Sequence, residues 1–323
     1  MKLKNTVITG IVLAFPLAVS AANAETWDMA LAYSASNYHS EIAAEFAAEI
    51  TAGTDIEVIP HPGGSLFPGD QIYTSVRRGI IPIGERLISA LANEDPIYGV
   101  DSVPFLATGF DASMKLYQSS KPALEETLDG AGLHFLYSCP WPPQGFYSSV
   151  EAKTPDDIKG LKFRAYNATT SAFAEELGMV PTKIEAAELP QAFATGVAES
   201  MISSGSTGYD QKLWEHVKYY YDVKAWLPRN MVVVNAKAWG GLEDATKAVF
   251  DKAAATAEAK CWAKAEELDA WYIDEFKKNG MQVAEMSPEL RAAFEKVGAK
   301  LRAEWLERAG AKGQAVLDAY SAQ

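Results

Sequence analysis

The alternation of short β-prone runs with helical stretches constrains this chain more than any other feature. A strand-like run at residues 26–32 precedes a helical stretch at residues 37–50, in which Ile42, Phe46 and Ile50 fall on one face. Further β-prone runs occupy residues 56–59, 80–83, 161–164, 201–204 and 231–235, and further helical runs occupy residues 71–78, 169–177 and 189–195. Repeated strand–helix–strand units indicate a parallel sheet with helices packed on its faces. The sequence therefore predicts an α/β fold.

The length of the chain favours more than one domain. A chain of 323 residues exceeds what one hydrophobic core usually covers, and it contains neither an internal repeat nor a low-complexity linker. We therefore expect two domains joined by strands that cross between them. Residues 243–279 contain no Gly or Pro and keep an apolar stripe through most of that run. They could form two helices without an obvious breaker, or one helix of about 55 Å that crosses both domains.

The first two dozen residues have the parts of a secretory signal peptide. Lys2 and Lys4 precede a short apolar run at residues 7–19, and residues 22–24 read Ala-Asn-Ala, a small-x-small cleavage site. The apolar run is shorter than the roughly 20 residues that span a bilayer. We expect a signal peptide at residues 1–24, its removal, and a soluble mature protein outside the cytoplasmic membrane.

The net charge of −13 limits the partners of the chain. Strong negative charge disfavours nucleic acid and anionic lipid surfaces, so we expect no nucleic-acid partner. It does not exclude an anionic ligand, because the local charge of a pocket can oppose the net charge of the protein.

The two cysteines leave two interpretations open. In an oxidising compartment Cys139 and Cys261 could form one disulfide, although their separation in sequence is long. The alternative is a pair of buried free thiols.

The sequence motifs of common catalytic sites are missing. There is no G-x-S-x-G, G-x-x-x-x-G-K, G-x-G-x-x-G or H-E-x-x-H, and the four histidines lack the spacing of metal ligands. We therefore expect no enzyme activity, no metal and no cofactor. A secreted enzyme such as a hydrolase, with an acid–base pair among the carboxylates, remains the alternative because catalytic groups are arranged in space and not by sequence order.

One basic side chain stands in an unusual setting. Strand alternation over residues 160–166 puts Leu161 and Phe163 on one face, with Arg164 and Tyr166 on the other. A guanidinium at the end of a strand offers paired donors that match a carboxylate. A surface salt bridge is the alternative role for this arginine.

Residues 155–164 resemble a family signature. They read PDDIKGLKFR, which is similar to the P-x-D-L-K-G-L-K-x-R signature of DctP-like proteins, the periplasmic solute-binding subunits of TRAP (tripartite ATP-independent periplasmic) transporters. Residues 189–199 resemble a second family segment, x-P-x-A-x-x-x-G-x-x-D/E-G, although Ser200 stands where the family usually has Gly. Residues 76–84 and 234–239 fit further family segments, and the four blocks occur in the family order.

The resemblance implies a two-lobed periplasmic binding protein with crossing hinge strands and a long helix spanning both lobes. On this basis we place lobe I at residues 25–147 plus 236–275, and lobe II at residues 148–235 plus 276–323. The lobes would close around a small organic acid by a hinge motion and deliver it to the membrane permease subunits of the transporter. We expect a monomer. The binding subunit of an ATP-driven or other tripartite importer is the alternative within transport.

The resemblance also implies which residues bind the ligand. Arg164 corresponds to the arginine that clamps the ligand carboxylate, and Asn230 lies near the position of a carboxylate-binding Asn. Glu85 and Arg86 follow a predicted strand where relatives line the pocket, with a surface role as the alternative. Many relatives carry a second basic residue where this chain has Gln144, which removes a partner for a second carboxylate.

Aromatic side chains near these positions offer apolar and stacking surface. They are Trp141, Phe146, Tyr147, Tyr166, Tyr209 and Trp214. Each could instead belong to the core. We therefore expect a monocarboxylate with an apolar or aromatic body, such as an aromatic 2-hydroxy or 2-oxo acid.

Overall fold

The computed structural model describes residues 25–323, so the predicted signal peptide at residues 1–24 lies outside the described residues. The strands are β1 (Glu25–Ala30), β2 (Ile56–His61), β3 (Ile83–Leu87), β4 (Leu133–Pro140), β5 (Gln144–Ser148), β6 (Lys162–Ala165), β7 (Val180–Lys183), β8 (Ser200–Ser204), β9 (Tyr219–Tyr221), β10 (Arg229–Asn235) and β11 (Gln282–Ala284). The helices are α1 (Tyr38–Gly53), α2 (Gly69–Arg77), α3 (Phe110–Gly130), α4 (Ala168–Glu176), α5 (Leu189–Ala194), α6 (Gly205–Asp210), α7 (Ala236–Gly240), α8 (Asp244–Lys278) and α9 (Pro288–Ser321). The α/β prediction is confirmed.

The strands form two mixed sheets and not the purely parallel ones that the sequence pattern predicts. The first sheet has the order β2-β1-β3-β10-β4 and the second the order β11-β9-β5-β8-β6-β7. In the first, β10 is antiparallel to both neighbours, and in the second β5 is antiparallel to both of its neighbours. Each of these strands brings the chain directly from the other sheet. The connection before each of them lacks the crossover that a parallel strand requires, so each strand is antiparallel to its neighbours.

The two segments that cross between the sheets lie side by side. Residues 141–143 lead from β4 to β5, and residues 222–228 lead from β9 to β10. The backbone N–H of Gln144 donates to the carbonyl of Trp226 at 2.9 Å, and the N–H of Ala225 donates back to the carbonyl of Gln144 at 3.0 Å. The expected crossing strands are therefore present as a paired ribbon.

The sheets do not follow the lobe boundaries expected from the sequence. Strand β5, most of which was assigned to lobe I, lies in the second sheet, and β10, assigned to lobe II, lies in the first. Division by sheets would move the boundaries from residues 147 and 235 to the crossing segments at residues 141–143 and 222–228. The division into lobes at the expected residues stays a prediction.

The start of α1 shows how local sequence sets an element. The side chain of Asn37 caps the helix by accepting a hydrogen bond from the backbone N–H of His39 at 2.9 Å. Ile42, Phe46 and Ile50 are buried, as their spacing predicts. Strand β3 is displaced from the predicted residues 80–83, because its second half carries charged residues that apolar patterning does not select.

One continuous helix of 35 residues, α8, spans the predicted Gly- and Pro-free run. It packs on α1 and β4 beside the first sheet and on α6 and β11 beside the second, so the single-helix alternative is correct. Helix α9 also contacts both halves and is interrupted at Gly310, whose φ of 55° is readily adopted by glycine. Within residues 25–323, no helix combines the length and apolarity that crossing a membrane requires.

A disulfide joins Cys139 to Cys261, with the two Cα atoms 5.1 Å apart. It ties the end of β4 to the middle of α8 inside the core of the first sheet. Of the two interpretations that the sequence left open, the disulfide is the one that the structure contains. It also anchors the strand end that immediately precedes the first crossing segment.

Candidate functional site

A cavity lies between the two sheets, beside the crossing segments. It encloses about 430 Å³ of space free of atoms, including its opening to solvent. The cavity is lined by Tyr33, Arg86, Leu87, Trp141, Gln144, Arg164, Tyr166, Glu185, Ala186, Ser203, Ser204, Thr207 and Pro228. Several of these side chains stand at the carboxyl ends of β3, β6, β7 and β8, where α/β sheets commonly bind ligands.

Arg164 contributes a buried cation without an acidic partner among the residues that the structure describes. It is only 4 % exposed, its Nε donates to the carbonyl of Ile184 at 2.9 Å, and its guanidinium carbon lies 5.1 Å from the ring centroid of Tyr166. Burial lowers the pKa of Arg164, an effect that the neighbouring Tyr166 and Glu185 oppose, and an arginine stays charged at neutral pH. The surface salt bridge considered from the sequence is not formed. A buried unpaired cation is costly, and an anionic ligand would offset that cost.

Arg86, in contrast, is already paired. Its two Nη atoms donate to the two carboxylate oxygens of Glu185, each at 3.2 Å. Burial raises the pKa of Glu185, but Arg86, Lys183 and Arg164 outweigh it, so the pKa lies below its ordinary value and the carboxylate is ionised at neutral pH. The pair joins β3 of the first sheet to the segment after β7 of the second.

A buried polar network lies behind the cavity wall and holds Trp141. The indole Nε1 donates to Oδ1 of Asn230 at 2.8 Å, and Nδ2 of Asn230 donates to Oε1 of Glu85 at 3.0 Å. The same Glu85 oxygen lies 2.9 Å from Nδ1 of His39, whose ring stacks on Trp141 at a centroid distance of 4.0 Å. Asn230 and Glu85 therefore support a wall of the cavity instead of lining it, which differs from the expectation that they face the ligand.

Gln144 and Tyr166 form a second hydrogen-bonded wall. The amide nitrogen of Gln144 donates to the carbonyl of Pro142 at 3.0 Å, and its oxygen accepts from the Tyr166 hydroxyl at 3.2 Å. That hydroxyl accepts from Nε1 of Trp226 at 2.8 Å. Burial raises the pKa of Tyr166, while Trp226 and Arg164 oppose the rise, so the phenol stays neutral. The wall presents a neutral aromatic face to the cavity.

Four of the aromatic residues singled out from the sequence lie elsewhere. Phe146 is 0 % exposed and packs on Tyr221 and Phe294 in the core beside the second sheet. Tyr209 packs on Trp214 and Trp271 near the outside of α8. Tyr147 and Trp214 likewise belong to the apolar cluster around Phe276. Of the nine residues expected to bind the ligand, the cavity brings together Arg86, Trp141, Gln144, Arg164 and Tyr166.

Sequence reasoning did not single out eight of the lining residues. They are Tyr33, Leu87, Glu185, Ala186, Ser203, Ser204, Thr207 and Pro228. A usable signal exists for the two serines, because they follow the apolar residues Met201 and Ile202 at the end of a strand, where parallel strands place ligand sites. Glu185 gave no such signal, since an acid after a short strand is ordinary in a loop.

Side chains from the two halves of the molecule meet around the cavity. Nδ2 of Asn37 donates to the Asp210 carboxylate at 2.6 Å and to the Ser206 hydroxyl at 3.2 Å. Nδ2 of Asn167 donates to the hydroxyl of Ser89 at 2.9 Å. With the Arg86 ion pair these contacts join the halves at separate points, so the cleft is in a closed arrangement.

Comparison with known proteins identifies this architecture. Residues 31–308 match the family model described as bacterial extracellular solute-binding protein, family 7. A marine metagenome TRAP solute-binding protein, described as specific for pyroglutamate and crystallised with co-purified pyroglutamate, is 48 % identical; the match covers 93 % of this chain and 100 % of that one, with a TM-score of 0.92. DctP6 of Bordetella pertussis, an extracytoplasmic solute receptor binding pyroglutamic acid, is 44 % identical over 92 % of this chain and 100 % of its own, with a TM-score of 0.90.

A more distant relative has a different named ligand. The C4-dicarboxylate-binding periplasmic protein DctP of Rhodobacter capsulatus is 27 % identical over 290 residues, which are 86 % of this chain and 85 % of that protein. The matches extend over both sheets and the crossing segments between them. The chain therefore belongs to the bacterial extracellular solute-binding proteins of family 7, the DctP-like solute-binding proteins of TRAP transporters.

Proposed function

We propose that this protein captures pyroglutamate, or a close cyclic monocarboxylate, in the closed cavity and delivers it to the permease of a TRAP transporter. The observation that carries the proposal is Arg164, a buried guanidinium at the cavity wall with no carboxylate partner among residues 25–323. Two relatives that are 48 % and 44 % identical are described as binding pyroglutamate and pyroglutamic acid. The carboxylate of the ligand would pair with Arg164.

The rest of the cavity suits a compact ring with polar edges. Tyr33 and Trp141 stand edge to face with ring centroids 4.7 Å apart, and with Tyr166 they supply flat apolar surface. Ser203 and Ser204 of β8 and Thr207 of α6 supply hydroxyl groups at the cavity wall. A lactam ring has both apolar faces and an amide edge that such hydroxyls can bind.

The ligand class expected from the sequence, an aromatic 2-hydroxy or 2-oxo acid, is the competing candidate. The aromatic walls favour it, and its carboxylate would use the same Arg164. The two candidates differ in size, because an indolyl or phenyl group adds volume that a closed cavity must hold. Binding measurements therefore separate them.

A ligand screen followed by calorimetry tests the proposal. The mature protein is first screened by thermal shift, since a ligand that binds the folded state raises the melting temperature. Pyroglutamate, phenyllactate, indole-3-pyruvate, succinate and malate are then titrated individually. We expect the tightest binding for pyroglutamate. Tight binding of succinate or malate with none of the monocarboxylates would contradict the proposal.

The proposed transport role requires that the ligand leave unchanged. Mass spectrometry of protein incubated with the bound acid should return the same mass, whereas a secreted hydrolase would alter a cleavable ligand. We further propose export to the periplasm, a monomeric state and a partner permease without an ATPase. Size-exclusion chromatography and copurification with membrane subunits test the last two points, because an ATP-driven importer would bring an ATPase with it.

A further inference from the structure

The cavity contains two buried guanidinium groups, but only one of them is open to a ligand carboxylate. We propose that Glu185 is a specificity-determining residue, which restricts the site to ligands with a single carboxylate by occupying Arg86. The inference rests on the proposed pairing of a ligand carboxylate with Arg164, and it concerns the number of negative charges that the ligand carries. Without Glu185, the same cavity would offer two arginines and suit a dicarboxylate.

The geometry of the pair supports this role. Nη1 and Nη2 of Arg86 each donate to a different oxygen of Glu185 at 3.2 Å, which is the bidentate arrangement in which a guanidinium recognises a carboxylate. The Arg86 side chain is 5 % exposed and that of Glu185 is 30 % exposed, so the acid covers the more deeply buried arginine. The side chain of Glu185 thus occupies the place that a second ligand carboxylate would take.

Displacement of Glu185 within the closed protein is hindered. The Cα of Gly69, at the start of α2, is so close that a Cβ there would lie 3.0 Å from Nη1 of Arg86 and 3.2 Å from Oε2 of Glu185. The ion pair is therefore packed against backbone on one side. A dicarboxylate would have to push Glu185 away from this contact or place a second negative charge beside it, and both are unfavourable.

Other charged groups near the pair do not replace Arg86 as an open partner. Nζ of Lys183 lies 3.6 Å from Oε1 of Glu185, but its side chain is 56 % exposed at the outer side. Glu85 is paired with His39 behind the wall and does not line the cavity. Within the described part of the chain, Arg164 is the cavity-lining cation that forms no ion pair.

The test replaces Glu185 by its neutral isostere and compares two five-carbon acids. Calorimetry on the mature protein gives the ratio of dissociation constants for glutarate and pyroglutamate. Wild type should prefer pyroglutamate by at least about tenfold, the value of one charged hydrogen bond. Glu185→Gln removes the negative charge that pairs with Arg86 and leaves a neutral side chain that a carboxylate can displace, so it should shift the ratio towards glutarate by about tenfold or more. The double variant Glu185→Gln with Arg86→Gln should lose that shift.

Glu188→Gln is the matched control, because it removes the same charge from the same segment. The backbone N–H of Glu185 donates a hydrogen bond to Oε2 of Glu188 at 3.2 Å, and the side-chain oxygen of glutamine can still accept that bond. It should leave the ratio within threefold of wild type. An unchanged ratio in Glu185→Gln would overturn the inference, and so would equal binding of both acids by wild type. Either result would leave intact the proposed function, which is capture of a carboxylate. If wild type binds neither acid and no other carboxylate, the proposed function fails as well.

Discussion

Replacing Arg164 by methionine removes the proposed anchor of the ligand carboxylate with little change in side-chain volume. Methionine keeps an unbranched chain that can pack on the ring of Tyr166, which the guanidinium now faces at 5.1 Å. It removes every donor, including the Nε that serves the carbonyl of Ile184 at 2.9 Å. The substitution therefore isolates the loss of hydrogen bonds and charge.

The expected loss of affinity follows from the contacts available. A hydrogen bond to a charged group contributes roughly 1.5–3 kcal/mol, and a bidentate pair supplies two of them. Arg164→Met should therefore weaken pyroglutamate binding by about 3–6 kcal/mol, which is at least a hundredfold in the dissociation constant. Arg164→Lys retains the charge without the planar, paired donors of a guanidinium, and its dissociation constant for pyroglutamate should lie between those of Arg164→Met and wild type.

The stability of the unliganded protein should change much less than the affinity. Methionine leaves the carbonyl of Ile184 without this donor, which costs about 1 kcal/mol, but it also relieves the burial of an unpaired cation. These effects oppose each other, so we expect a change within about 2 kcal/mol in the free energy of unfolding. Urea unfolding without ligand measures it and shows whether weaker binding reflects loss of the fold.

Isothermal titration calorimetry with pyroglutamate is the primary assay, and Arg78→Met is the control. Arg78 is exposed and does not line the cavity, so its replacement removes the same charge from the surface of the protein. A dissociation constant for Arg164→Met within threefold of wild type would refute the reasoning, because a carboxylate in contact with Arg164 cannot lose both donors without cost.

Three further predictions concern the scaffold. Replacing Cys139 and Cys261 by alanine opens a loop of 122 residues and should reduce the free energy of unfolding by about 2–5 kcal/mol, measured in urea. Burial raises the pKa of Asp101 to about 6, opposed by the nearby Arg229, so the folded state binds this proton more tightly than the unfolded state. The free energy of unfolding contributed by this group should therefore fall by about 2 kcal/mol between pH 4 and pH 6, and Asp101→Asn should lack that fall in urea titrations across this range. Phe146→Ala should cost about 3–5 kcal/mol in unfolding experiments yet leave the affinity of the folded fraction within threefold, since this side chain is in the core; a selective loss of affinity would contradict its placement.

The accuracy of the sequence predictions differs between elements for a physical reason. Residues 37–50 and 243–279 have an apolar stripe with helical spacing, and both form helices where that pattern predicts them. Strand β3 was predicted too early, because its second half contains Glu85 and Arg86, which are buried by polar partners and not by apolar packing. Apolar patterning detects residues that are buried in a hydrophobic core, and it misses strands whose buried residues are polar because they belong to a binding site.

The same distinction holds for the residues of the cavity. Arg164 was identified because a family signature includes it, and Gln144 because a basic residue was expected in its place. Asn230 and Glu85 were expected to face the ligand, but they instead hold the indole of Trp141 from behind. Sequence position alone cannot distinguish a residue that lines a cavity from one that supports the lining.

By itself the sequence determined the α/β class, the family, the long helix as one of two alternatives, and the arginine expected to bind a carboxylate. These features depend on local periodicity or on contiguous signatures, which a linear chain displays directly. Only the tertiary structure decided that Cys139 and Cys261 form a disulfide, that β5 lies in the second sheet and β10 in the first, and that Arg86 is paired with Glu185. Each depends on contacts between residues more than 50 positions apart, and the spacing of residues along a chain carries no information about such contacts.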